Sequence, residues 1–277
     1  LRRPALYSPW LGHNFAGRPM RFLPVLLLSV AFASAAETAP LDHAKYTDAL
    51  KAFRQGKAQA LAALTDPAAE VRRAAVDDLR ERLVDEPAAP LAGQIGGVLG
   101  KVDLETARLL LAALAEAKAT TTAPQVAALA GQKDSPLRAE AALALAEIGG
   151  AKAVPILAEL ARDESLNENV IAALAKTSGP GVTDAFNAGI LDAKLDLAGR
   201  TALIKAAIAR NNRAVSPSLC TVLAEEALRL EAQKALLKLA RPEDLPALKT
   251  AAASMKNAAT KAALERLIAK LEKPADR

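Results

Sequence analysis

Cysteine is almost missing from these 277 residues: Cys220 stands alone, so no disulfide can form within the chain. Histidine is nearly as scarce, with His13 and His43 only. That leaves little from which to build a Ser-His-Asp relay, a Cys-His pair or a histidine-based zinc site. Aromatic residues make up 3% of the chain, and strands favour the aromatic and β-branched side chains that are short here. Phosphate-cradling loops are lacking too. The glycine clusters Gly96-Gly97, Gly149-Gly150 and Gly179-Pro180-Gly181 are not followed by Lys-Ser or Lys-Thr at the required spacing and are expected to stop helices. The carboxylate pairs Asp77-Asp78, Asp163-Glu164 and Glu225-Glu226 occupy adjacent positions, which point in different directions on a helix, and are read as solvated faces. No catalytic residue, metal ligand set or cofactor is therefore expected, and the chain is not expected to be an enzyme.

What is abundant is alanine and leucine, which dominate beyond residue 40 and lose least on becoming helical. At 52% hydrophobic and 24% charged, the chain can bury a substantial core. The first forty residues have another character. Met20-Arg21, the apolar run Phe22 to Ala33 and the small residues Ala33-Ser34-Ala35-Ala36 have the charged start, short apolar middle and cleavage site of a secretory signal. A dozen residues are too few to span a bilayer as a helix. The expected division is an extension over 1–19, a signal over 20–36 cleaved near Ala35 or Ala36, a folded region over 37–273 and a tail over 274–277. A periplasmic or secreted location follows, with no stable membrane span after cleavage. The full chain has a net charge of +5, but the leader holds Arg2, Arg3, Arg18 and Arg21 and no acid. Its loss leaves 32 basic against 31 acidic residues, which weakens the case for nucleic acid.

The folded region repeats. Pro90, Pro124, Pro155, Pro217 and Pro246 are separated by 34, 31, 62 and 29 residues; the double interval is two steps of 31, and its skipped register falls on Phe186. Each proline is followed by an apolar helical pattern, and the first turn of a helix is where a missing N–H does no harm. A second helix precedes each one. Ser135-Pro136 opens Leu137 to Ile148, and Val71-Arg72 with Ala75 and Leu79, Leu137-Arg138 with Ala141 and Leu145, and Leu228-Arg229 with Ala232 and Leu236 repeat one template. About seven pairs fit between Leu41 and Leu271, from an irregular first unit with Tyr46 and Phe53 to the charged last helix Lys261 to Lys273. Pairs of this kind must stack on one another to bury their apolar faces. The fold class is all-α, a right-handed α/α superhelix.

The stretch from Asp66-Pro67-Ala68-Ala69-Glu70-Val71-Arg72 and the stretch from Ser135-Pro136-Leu137-Arg138 to Ile148-Gly149, followed by Ala153-Val154-Pro155-Ile156-Leu157, closely resemble the HEAT-like repeats named after phycobilisome lyases. The resemblance is closest over 66–163, looser over 164–250 and faint at the ends. It implies an α/α superhelix for protein recognition, structural roles for Asp66 and Arg72, and no catalytic residue. The function expected is an exported, monomeric scaffold that binds an unknown protein partner on a concave face lined by the proline-initiated helices. Lys152, Glu159, Arg162, Asn187 and Lys249 are candidate contacts by helix position, and Phe186 is either a contact or a space-filler beside the unusual Gly179-Pro180-Gly181 turn. Alternatives are an accessory subunit of a secreted enzyme complex, a cytosolic scaffold whose apolar start is a helix, and a HEAT-like DNA-repair protein. The last needs stacking aromatics, of which only Tyr46, Phe53 and Phe186 follow the leader.

Overall fold

The computed structural model describes residues 41–85 and 89–273. The expected signal, the extension before it and the tail 274–277 lie outside the described residues. Every regular element among the described residues is helical. The α-helices are α1 (His43–Arg54), α2 (Ala60–Ala63), α3 (Ala69–Asp85), α4 (Ala89–Val98), α5 (Leu104–Glu116), α6 (Ala123–Gly131), α7 (Arg138–Ile148) and α8 (Ala153–Leu160). They continue with α9 (Asn167–Lys176), α10 (Val182–Leu191), α11 (Leu197–Ala209), α12 (Ser216–Val222), α13 (Glu226–Leu239), α14 (Leu245–Ser254) and α15 (Ala258–Glu272).

The packing sorts them into two layers. In the first, α1 packs on α3, and α3, α5, α7, α9, α11, α13 and α15 follow side by side. In the second, α4, α6, α8, α10, α12 and α14 do the same, each from α6 on also resting against the first-layer helix that comes after it. Helices two apart in sequence are thus neighbours in space, which makes this region an α solenoid. Seven pairs are present among the described residues, closed by α15 without a mate.

Local chemistry explains where the helices start. Asp42, Asp103, Asp196 and Asn257 cap α1, α5, α11 and α15, their side chains accepting from backbone N–H groups two or three residues on. Each such cap contributes about 1 kcal/mol. Second-layer helices use another device. Pro90, Pro124, Pro155, Pro217 and Pro246 all fall in the first turn of α4, α6, α8, α12 and α14, as the spacing predicts. Short 3-10 turns at Thr120–Thr122, Gly150–Lys152, Arg213–Val215 and Pro242–Asp244 run directly into α6, α8, α12 and α14. The template positions form the core: Ala75, Leu79, Ala141, Leu145, Leu228, Ala232 and Leu236 are all buried.

Three expectations need correction. Phe186 does not take the proline slot: α10 starts at Val182 after a turn in which Gly181 has φ 74°, and there is no 3-10 turn before it. Aligned on helix starts, Asp184 matches Pro155, and Phe186 matches Leu157, the buried residue two positions on. Gly96 and Gly97 lie in the last turns of α4 rather than beyond it. The pair Asp77-Asp78 is no solvated face, since Asp78 is 3% exposed with Arg82 Nη2 2.7 Å from its Oδ2, and Asp77 accepts a 2.7 Å hydrogen bond from Tyr46.

Candidate functional site

First-layer charges join one repeat to the next. Arg72 donates to the carbonyl of Asp66 at 2.7 Å, and its Nε lies 2.8 Å from Asp103, the cap of α5. Arg138 donates to the carbonyl of Ala130 at 3.2 Å and pairs with Asp163 ahead of α9. Arg200, 5% exposed, donates to the carbonyl of Ile190 at 2.9 Å and to both oxygens of Glu225, at 2.5 and 2.7 Å, ahead of α13. Each arginine thus clasps the turn before its own helix to the carboxylate that opens the next first-layer helix. Asp66 accepts from the N–H of Ala68 at 2.8 Å, so Asp66 and Arg72 are both built into a turn.

Further pairs cross the same layer. Arg80 donates to Glu116 at 2.6 Å, Arg108 donates to Glu140 at 2.7 Å, and Arg54 pairs with Glu81. The clasps shift the acids. Hydrogen bonds from the hydroxyl of Ser165 and from Arg138 hold Asp163 down at about 2, and Arg200 lowers Glu225 below its ordinary range. Carboxylates engaged this way stay ionised near neutrality, which does not suit a proton donor.

The second layer is chemically the opposite. Its helices α4, α6, α8, α10, α12 and α14 carry three charged side chains among them, Glu159, Asp184 and Lys249. What they present to solvent is mostly small or uncharged: Pro124, Gln125, Pro155, Ile156, Pro217, Thr221 and Thr250 are all exposed. Close packing of small, apolar helices leaves such a surface open to cover by another molecule.

The residues singled out from sequence do not converge on one spot. Lys152 and Glu159 are exposed at the two ends of α8; Arg162 is exposed just past α8, 3.9 Å from Asp196. Lys249 reaches across to Glu272 on α15 at 2.7 Å. Asn187 is half-buried and engaged within the protein, donating to the carbonyl of Ala214 at 3.3 Å and accepting from Ser218 at 2.7 Å. Phe186 is 0% exposed, so it fills the core instead of presenting a contact, with the Arg210 guanidinium 4.9 Å from its ring centroid. Sequence reasoning missed Asp184, the remaining charge of this layer, because nothing local distinguishes it from other acids.

It also missed two grooves, since each is shared between turns of different repeats. One of about 800 Å3 lies between α12 and α14, with Cys220, Thr221, Thr250 and Met255 in its wall. Burial, with a smaller contribution from Asp244, pushes the Cys220 thiol up to about 11, so it is protonated near neutrality and a poor nucleophile. The other, of about 730 Å3, runs over the turns that lead into α6, α8 and α10. No group of three or more His, Cys, Asp or Glu is placed to hold a metal ion among the described residues. No helix among them is long and apolar enough to cross a membrane.

Stacked helix pairs, clasped turn to turn and closed by an extra helix, define the class as an α solenoid of HEAT-like repeats. The sequence comparison agrees: the family of HEAT repeats matches residues 98–177, which run from the end of α4 to the residue after α9. The match is to HEAT repeats in general and does not single out the phycobilisome-lyase type. Comparison with curated proteins gives no match. HEAT repeats generally serve as protein-interaction scaffolds and are typically non-catalytic.

Proposed function

We propose that this chain is an exported, non-catalytic scaffold that binds a protein partner on the layer formed by α4, α6, α8, α10, α12 and α14. The observation that carries the reading is the contrast between layers. Across the first, arginines and carboxylates are already paired from repeat to repeat. Desolvating them would break pairs, whereas the second layer has little charge to desolvate, and interface cores are depleted in charge. Lys152, Glu159, Arg162 and Lys249 remain the polar contacts of this reading, which takes this layer as the concave face. Export rests on the signal-like segment before residue 37.

Photo-crosslinkers placed singly in the full chain test the contact surface. A partner is expected to crosslink from Gln125, Glu159 and Thr221 and not from the exposed first-layer positions Ala112 and Lys205. Crosslinks confined to the first-layer positions, or none from either set, would sink the proposal. N-terminal sequencing of the chain from its host tests export, and a start at Leu1 or Met20 would contradict it.

A further inference from the structure

In the groove of about 730 Å3 an apolar recess and unbalanced charge meet at the turns of three repeats. Pro124, Ile156 and Pro180, from three successive repeats, line it, and the Leu145 and Ile148 side chains are in its floor. Ile156 is 38% exposed there, an aliphatic surface open at the centre of the groove. Lys118 and Lys152 stand in its wall, and Lys176 ends α9 two residues before the lining residue Ser178. The lining itself holds two cations, Lys118 and Lys152, against one acid, Glu147, which is paired with Lys118, so Lys152 is the cation left over.

Fold stability argues against two of these lysines where they are. Lys118 has φ 51°, in the left-handed region where the matching turn of the next repeat uses Gly150 and a later one uses Asn211. A lysine there forgoes the glycine that such a helix end favours. Lys152 immediately precedes α8, and a cation is disfavoured at the positive end of a helix. No carboxylate lies within ion-pair distance of Lys152 among the described residues. Lys152 thus gives up stability to keep an ammonium group beside an apolar recess, and Lys118 holds its pair with Glu147 at a backbone position that glycine fits better.

Resting on the reading of this chain as an interaction scaffold, we infer that the groove docks an extended, acidic segment of the partner, with Asp or Glu side chains at Lys152 and Lys118 and one aliphatic side chain beside Ile156. The turns lie one helix spacing apart, so two steps cover about 20 Å. That is the reach of about six extended residues. The leader of this chain is unsuited to the groove, since its four arginines and lack of acids put like charge on like. A second copy of the chain and a nucleic-acid strand are the competing occupants.

The test pans the full chain against a displayed library of random peptides and measures the selected peptides against Lys118→Gly and Lys152→Glu. Neither substitution is expected to lower the urea midpoint, because Lys152→Glu removes a cation from the start of a helix and in Lys118→Gly the relieved left-handed backbone offsets the lost exposed pair with Glu147. Selected peptides should pair Asp or Glu with a Leu, Ile or Val, and their affinity should fall about tenfold in Lys152→Glu and severalfold in Lys118→Gly. A merely structural role for the lysines would leave affinity unchanged. Peptides without acidic residues, or acidic ones indifferent to both substitutions, would overturn the groove while leaving the scaffold reading intact. So would a 12-nucleotide DNA single strand that displaces the peptides and loses binding in Lys152→Glu, or dimerisation that Lys152→Glu abolishes. Failure to select any peptide, combined with no crosslinked partner, would overturn both.

Discussion

The fifth repeat, α9 with α10, is assembled from different parts than its neighbours. The second helices of the third, fourth and sixth repeats are reached through a 3-10 turn and a first-turn proline. That of the fifth is reached through Gly179-Pro180-Gly181 and has Asp184 in the proline slot. The first helices of the second, fourth and sixth repeats hold the preceding turn with Arg72, Arg138 and Arg200. In the fifth, Asn167 does it, donating to the carbonyl of Ala161 at 3.2 Å. Arg210, from the sixth repeat, then reaches back to the carbonyl of Thr177 at 2.7 Å and caps the end of α9. The lesson is that repeats are equivalent in the obligations they meet, satisfied turn carbonyls and a filled core, and not in the residues that meet them.

Core volume is where this contrast should have its largest consequence. Phe186 occupies the position that Val126, Leu157 and Leu219 hold in other repeats, all 0% exposed. Phe186→Ala is expected to cost about 3–5 kcal/mol in urea denaturation, against about 2–5 kcal/mol for Leu157→Ala. The sharper comparison is Phe186→Leu, which gives the fifth repeat its neighbours' residue. If the fifth repeat has its own core shape, that exchange still costs about 1 kcal/mol or more. A neutral result would show that the fifth repeat differs only at its turns.

Much of this was legible in the sequence, and the reasons are physical. The pairing of helices, the proline slot and the buried template are all fixed by local spacing: a proline announces its own tolerance for the first turn, and Ala141 and Leu145 declare a face. What spacing could not reveal was anything decided across repeats. Equal steps of 31 put Phe186 in the proline slot, but the turn before α10 shortens the interval after Pro155, which spacing alone does not show. The clasp from Arg200 to Glu225 spans 25 residues without a local motif, and the groove under Lys118 and Lys152 is shared by three turns. Of the six candidate contacts, helix position chose exposed residues at Lys152, Glu159, Arg162 and Lys249. Position alone did not reveal that Asn187 is engaged by Ser218.

A smaller effect separates the crowded middle of the stack from its open start. Gly199 in α11 sits so near α8 that an added Cβ would come 2.5 Å from the carbonyl oxygen of Ala158. A backbone atom cannot swing aside, so Gly199→Ala is expected to cost about 1–3 kcal/mol as overpacking. Gly93 in α4 meets nothing within 4 Å, and Gly93→Ala is expected to gain about 0.5–1 kcal/mol through helix propensity. The two substitutions are identical in chemistry. Urea midpoints of the same sign for both would mean that α8 and α11 are not in the close contact described.

The smallest effect concerns the clasps themselves and is read from how stability falls in acid. Asp163, held at about 2 against an ordinary value of 3.8, is ionised in the folded protein at pH values where the unfolded chain has already taken up its proton. Its contribution is fully present above about pH 4 and is lost as pH falls through about 2, because the unfolded state binds the proton first. Glu225, lowered by Arg200, follows the same sign. Asp163→Asn should therefore flatten the fall of the urea midpoint between pH 5 and pH 2.5 while leaving the binding surface of the second layer untouched. Were the acid limb unchanged in that variant, the Asp163 carboxylate would not be what ties the fourth repeat to the fifth, and the bond from Asn167 to the Ala161 carbonyl would be the polar link that holds that junction beside the packing of α7 on α9.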